Sequence, residues 1–186
     1  VHTLVFVAPL LVLLIVVAEP FVILLLTEKW APMIPYMQLL CVSGVLYPIH
    51  SVNVQVLQAQ GKSNLNFRLE VIKNCLRVLN IIIIYRFGVV YIIIGEIIVS
   101  IISLIVNTHY TRKLLSYGMF EQLKDIWLIV FSAAISGISG YFVIYLFENM
   151  YLKLFLGSLI TITVYISVQY IFNKNLFFQI LKLKRS

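Results

Sequence analysis

Charge is scarce in this chain, and acidic charge most of all: 7 Asp and Glu stand against 14 Lys and Arg, and 11% of the 186 residues are charged. Soluble domains carry about 25% charged and about 45–50% apolar residues. A chain that is 62% hydrophobic is therefore not a soluble enzyme built on one apolar core, and its excess must face lipid. Cysteine is nearly absent. Cys41 and Cys75 lie far apart in apolar segments with no CxxC or His/Cys spacing, which excludes a disulfide framework and a metal centre. Also missing are a Ser/His/Asp set, paired catalytic carboxylates, a phosphate-binding glycine loop and any nucleotide motif. Enzyme chemistry has no carrier, and no cofactor is expected. The net charge of +7 would point to nucleic acid in a soluble chain. In a membrane chain it is the basic bias of cytoplasmic loops, so nucleic acid is not an expected partner.

What is present is a series of apolar segments, at 3–27, 33–57, 68–85, 88–107, 126–147 and 152–172. At about 20 residues per span these predict an all-α, polytopic membrane protein with six transmembrane helices, because an open strand edge cannot be satisfied in lipid. Pro9, Pro20 and Pro48 fall inside spans, where each removes a backbone donor and should bend its helix. The stretch 109–125 mixes Leu114, Leu115, Met119, Phe120 and Leu123 with charges and reads as an interfacial amphipathic segment. The tail 173–186, with Lys174, Lys182, Lys184 and Arg185, should lie on the anionic inner leaflet. The chain opens at Val1 straight into an apolar run, with no charged leader or small-residue cleavage site. It is expected to continue a longer protein.

Basic residues set the orientation. Six spans with both termini cytoplasmic place Lys62, Arg68, Lys73, Arg77, Arg112, Lys113, Lys124, Lys174, Lys182, Lys184 and Arg185 toward the cytoplasm, and leave only Lys29, Arg86 and Lys153 outside. Merging the third and fourth segments reverses everything downstream and strands Arg86 in the bilayer, against the positive-inside rule. The turn therefore falls at Arg86-Phe87-Gly88. Trp30, Tyr85, Trp127, Tyr145, Tyr151 and Tyr170 lie near the resulting interfaces, as an aromatic belt would.

Three of these spans carry a polar stripe. On the third, Glu70, Lys73, Asn74, Arg77 and Asn80 share an arc of about 120°. The fourth carries Glu96, Ser100, Ser103 and Asn107, and the second carries Tyr47, Ser51, Gln55 and Gln58. An unpaired charge at the bilayer centre costs about 3 kcal/mol on insertion scales, so the stripes are expected to face a shared interior or a water-filled cavity. Counted from the turn, Arg77 and Glu96 are equally deep, roughly 14 Å below the outer face at ~1.5 Å per residue, and are placed to pair. Glu19 reaches a comparable depth on the first span.

The functional reading is a transport cavity lined by Arg77, Lys73, Gln55, Gln58, Ser51 and Asn74, in which the two cations attract an anionic group. Glu96, Glu19 and Glu70 are then the candidates for coupling or ion pairing. The plainer reading is an ion pair that glues two helices. His50 and His109 lack a second His or carboxylate at helical spacing and read as packing or interfacial residues. Ser132, Ser136 and Gly140, with Ala133 and Gly137 beside them, form a small-residue ridge suited to close helix packing.

Several motifs carry a resemblance: Glu28-Lys29-Trp30 followed by Pro32, the Gln58 to Lys62 turn continued by Leu69, Glu70, Ile72 and Lys73, and Ser116-Tyr117-Gly118 before Glu121-Gln122-Leu123. Over residues 4–126 the sequence resembles the C-terminal part of Wzx-type polysaccharide flippases, of the multidrug/oligosaccharidyl-lipid/polysaccharide exporter superfamily. It is most similar to their lipopolysaccharide and teichuronic acid exporter branch. The last two spans match only in length and hydrophobicity, and Arg86 stands where that family commonly has proline.

The resemblance implies about fourteen helices in two pseudo-symmetric lobes plus a terminal pair, around a cationic cavity. It implies flipping of undecaprenyl-pyrophosphate-linked oligosaccharide across the bacterial inner membrane by alternating access. On that scheme residues 1–108 are four helices of the second lobe, 109–125 a cytoplasmic interfacial segment, 126–172 two accessory helices and 173–186 a basic tail. Expected partners are the lipid-linked oligosaccharide, membrane lipids and the N-terminal lobe of the same protein. A multidrug or cation antiporter of the same superfamily, in which Glu19 and Glu96 would matter more than Arg77, stays open. So does a membrane assembly or anchor subunit that transports nothing.

Overall fold

A computed structural model of the chain describes residues 2–115 and 117–173. Among the described residues all regular structure is helical: α1 (His2–Val16), α2 (Ala18–Leu26), α3 (Ile34–Gly44), α4 (Tyr47–Ala59), α5 (Ser63–Ile84), α6 (Val89–Leu115), α7 (Met119–Leu146) and α8 (Met150–Phe172), with 3₁₀ turns at Glu28–Met33 and Tyr85–Phe87. The basic tail from Lys174 onward, and Ser116, lie outside the described residues.

Proline sets the breaks, by one rule with two outcomes. A proline ring collides with the carbonyl four residues earlier and offers it no donor. Four residues before Pro20 is Val16, where α1 stops, and α2 leaves at 69°. Four residues before Pro48 is Gly44, where α3 stops before α4 begins at Tyr47. Pro9 behaves differently. It lies inside an unbroken α1, and the carbonyl it leaves without an N–H, that of Val5, accepts a 2.9 Å hydrogen bond from the Tyr165 hydroxyl of α8. The Ile15 carbonyl, at the bend, accepts from Gln38 Nε2 at 3.0 Å. Freed backbone acceptors in a membrane helix persist where a neighbouring helix supplies the donor.

Tyr165→Phe should therefore destabilise the protein by about 1–2 kcal/mol, and in a Pro9→Ala background, where the substituted alanine supplies the missing N–H, it should cost close to nothing. A thermal-unfolding double-mutant cycle in detergent checks this. Equal costs in both backgrounds would break the link.

Among the described residues, four helical stretches are long and apolar enough to cross a membrane: Glu28–Ala59, Val89–Leu115, Met119–Leu146 and Met150–Phe172. The bent α1–α2 pair makes a fifth if counted as one span. The expected span left over, the third, corresponds to α5, whose 22 residues reach about 33 Å at 1.5 Å per residue. Its length suffices, but Arg68, Glu70, Lys73 and Arg77 make it too polar to qualify on hydropathy. Length and hydropathy thus define four to five spans, where six were expected.

The helices cluster in two compact units, one of residues up to Cys41 with those from Asp125 onward, the other Val42–Lys124. In the first unit α1 and α2 pack with α8. In that unit Val16, Val17 and Ile144 are buried together, and the small-residue ridge of α7 lies against its neighbours. Ser132 and Ser136 are fully buried, and their hydroxyls donate to the Leu128 and Ala133 carbonyls of the same helix. A Cβ at Gly140 would overlap Thr161.

The second unit holds α4, α5, α6 and the first turns of α7. Gly61, at φ 68°, closes α4, and the Lys62 amide reaches back to the Leu57 carbonyl at 2.9 Å, the 6→1 bond of a Schellman end. The α5–α6 turn falls at Arg86-Phe87-Gly88 as expected, with Gly88 at φ 102°. The segment 109–125 is not a separate amphipathic helix: residues to Leu115 continue α6, and those from Met119 begin α7. At 27 and 28 residues these helices reach about 40 Å, against a hydrocarbon core of about 30 Å. That excess of length can hold the polar residues of 109–125 without a separate helix.

Candidate functional site

The polar side chains of the second unit gather where α5 and α6 run antiparallel. Their register is fixed one turn above the charges. The Asn80 carboxamide lies flat against α6 at Gly95, where a Cβ would overlap it, and its Nδ2 donates to the Ile92 carbonyl at 3.0 Å. That contact requires glycine at 95 because the side chain of one helix touches the backbone of the other.

One turn deeper, Arg77 Nε donates to Glu96 Oε1 at 2.8 Å, and Arg77 Nη1 reaches Asn74 Oδ1 at 3.4 Å. A further turn deeper Lys73 is paired with Glu70 on its own helix. The two cations differ in access: the Lys73 side chain is 10% exposed, whereas that of Arg77 is 45% exposed beside a Glu96 at 31%. Lys73 is thus held as an internal ion pair, while Arg77 keeps an open edge of its guanidinium fork. Each cation carries its own carboxylate, so the cluster Glu70, Lys73, Arg77 and Glu96 has no net charge.

The other stripe residues divide. On α6, Ser100, Ser103 and Asn107 are buried, with His50 Nε2 of α4 hydrogen-bonded to Ser100 Oγ at 3.1 Å. On α4 the expected face, Ser51, Gln55 and Gln58, does not join them. Gln55 and Gln58 are exposed, and Gln55 Nε2 donates to Ser51 Oγ at 3.2 Å on the same helix. Glu19 belongs to the other unit, where its Oε2 lies 3.7 Å from Lys153 Nζ.

Sequence reasoning missed a buried polar contact between two helices. Asn53, 0% exposed, exchanges two hydrogen bonds with Gln122, its Nδ2 donating to Oε1 at 3.0 Å and its Oδ1 accepting from Nε2 at 2.8 Å. Asn53 also donates to the Ile49 carbonyl at 3.1 Å and reaches Thr108 Oγ1 at 3.5 Å. This amide pair ties α4 to the start of α7 beside the fully buried Thr111. The one available signal was a single Asn between Val52 and Val54 on an apolar face, which has no periodicity to detect. Among the described residues no group of three His, Cys, Asp or Glu is placed to hold a metal ion.

Apolar helices of spanning length are those of a helical membrane protein. The chain is similar to the lipopolysaccharide biosynthesis protein WzxC of Escherichia coli (strain K12), 31% identical over 122 residues that cover 64% of this chain and 25% of WzxC. It thus spans about a quarter of the length of that relative, a likeness to the Wzx type at a distance. No protein-family profile matches the chain, and no solved structure matches it significantly.

Proposed function

We propose that this chain is part of a polysaccharide-precursor exporter of the bacterial inner membrane, a flippase for undecaprenyl-pyrophosphate-linked oligosaccharide working by alternating access. In this reading α5 brings the spans to six, both termini are cytoplasmic, and Arg77 contacts the pyrophosphate while Ser51, Gln55 and Gln58 line the path shared with an N-terminal lobe. The observation that carries it is the half-open guanidinium of Arg77, one turn from a buried Lys73 on the charged helix α5. Arginine presents a planar fork suited to phosphate oxygens. The likeness to a lipopolysaccharide biosynthesis protein supports a polysaccharide precursor as the substrate. A cation antiporter fits less well, because Glu19 and Glu96 each already face a basic partner.

The test is complementation of a flippase-null strain by the full-length protein. Arg77→Gln should reach normal abundance yet lower export more than about tenfold, the loss of one charge-assisted contact. Lys73→Gln should instead lower abundance, since it leaves Glu70 without its cation. Full export by Arg77→Gln would remove the assignment.

Orientation is tested separately. A reporter joined between Arg112 and Lys124 should read as cytoplasmic, and a periplasmic signal would overturn the six-span arrangement.

A further inference from the structure

On the reading that Arg77 contacts the anionic group of the substrate, we infer that Glu96 is a built-in counter-anion that the substrate must displace, and that it thereby sets how tightly the anion is held. Three observations lead there. First, Glu96 Oε1 occupies Arg77 Nε at 2.8 Å, with Asn74 Oδ1 taking Nη1 at 3.4 Å, so two of the positions a phosphate would use are filled from within. Second, the charges within this cluster cancel: Glu70 pairs with Lys73 as Glu96 does with Arg77, so each cation that an anion would meet there already has a carboxylate beside it. Third, both partners of the outer pair are accessible, at 45% and 31% of their side-chain surface, so an incoming group can reach the contact it replaces. The Lys73 side chain, at 10%, offers no such approach.

The exchange is a swap of hydrogen-bond acceptors. A carboxylate held by one N–H gives way to a phosphate able to take two in parallel. When the anion leaves, Glu96 returns to Arg77 and restores the hydrogen bond to its Nε. A transport site must hold its cargo firmly enough to load and loosely enough to release. A resident competitor produces that compromise without changing the cation.

The experiment is equilibrium binding of inorganic pyrophosphate to the full-length protein in zwitterionic nanodiscs, with export measured in parallel. Glu96→Gln should bind pyrophosphate about tenfold more tightly than the parent, and should export more slowly. Arg77→Gln and the double variant should both lose binding. Glu96→Asp, which keeps the charge but draws it back by one methylene, should tighten binding by a smaller factor, and serves if Glu96→Gln is poorly folded. Glu28→Gln, the same charge change in the remote 3₁₀ turn, should bind like the parent. Unchanged or weaker binding by both Glu96 variants, with Arg77→Gln still defective, overturns the counter-anion role and leaves the substrate contact standing. No binding by the parent, or parental binding by Arg77→Gln, overturns both.

Discussion

Replacing Gly95 with alanine should remove most of the folded protein. The added methyl would occupy the space of the Asn80 carboxamide, which cannot yield cheaply because it is held by its 3.0 Å bond to the Ile92 carbonyl. Overpacking of this kind costs about 1–3 kcal/mol, and separating α5 from α6 adds the loss of the Arg77–Glu96 contact one turn away. The expected result is at least about a tenfold fall in detergent-extracted, monodisperse yield. Asn80→Ala alone should cost only about 0.6–1.7 kcal/mol, the range of interhelical hydrogen bonds in membranes. Combined with Gly95→Ala it should restore most of the yield, because the clash is then gone. If the double variant is no better than Gly95→Ala alone, the harm lies elsewhere than in this contact.

The amide pair gives the second large effect. Asn53→Leu should destabilise the protein by about 2–3 kcal/mol. The Gln122 amide would keep its burial and lose both partners, and an orphaned polar group costs more than the net worth of the bond it made. Asn53→Leu with Gln122→Leu should recover most of that loss, since two apolar groups leave nothing unsatisfied. Thermal unfolding of the three variants in one detergent is the measurement. Additive losses, with the double variant the least stable, would show that the amide exchange does not carry the link between α4 and α7.

How much of this was legible in the sequence depended on whether a feature repeats or stands alone. The α5–α6 turn was readable because basic residues on either side had only one consistent arrangement about Arg86. The approach of Arg77 to Glu96 was readable because two antiparallel helices joined by a short turn bring equally deep residues together. The bend after Val16 was partly readable. Pro20 announced it, but nothing local said that Pro9 would leave α1 unbroken, since its compensation comes from Tyr165, 156 positions further along. Stripes were less trustworthy. Ser51, Gln55 and Gln58 form the more polar face of α4, yet the face packed in the second unit carries His50, Asn53 and Leu57. Periodicity shows that a helix has two faces and not which neighbour each will meet. The ends of α6 and α7 escaped for another reason: amphipathic composition at 109–125 fits a helix lying on the membrane as well as two helices rising out of it.

The paired charges of α5 also bear on how the chain enters a membrane. A helix emerging from the ribosome is tested for partition into lipid before its later neighbours exist. With α5 as a span, it would arrive carrying Arg68, Glu70, Lys73 and Arg77, each charge penalised by about 2.5–3.5 kcal/mol near a helix centre. Its partner Glu96 lies beyond the turn, on a helix apolar enough to insert by itself. The favourable course is for α5 to wait at the interface until α6 has been made and for the two to enter as a hairpin, with Arg77 already neutralised and Asn80 seated on Gly95. A glycosylation-mapping reporter should then find α5 alone excluded from the bilayer, and α5 followed by α6 inserted.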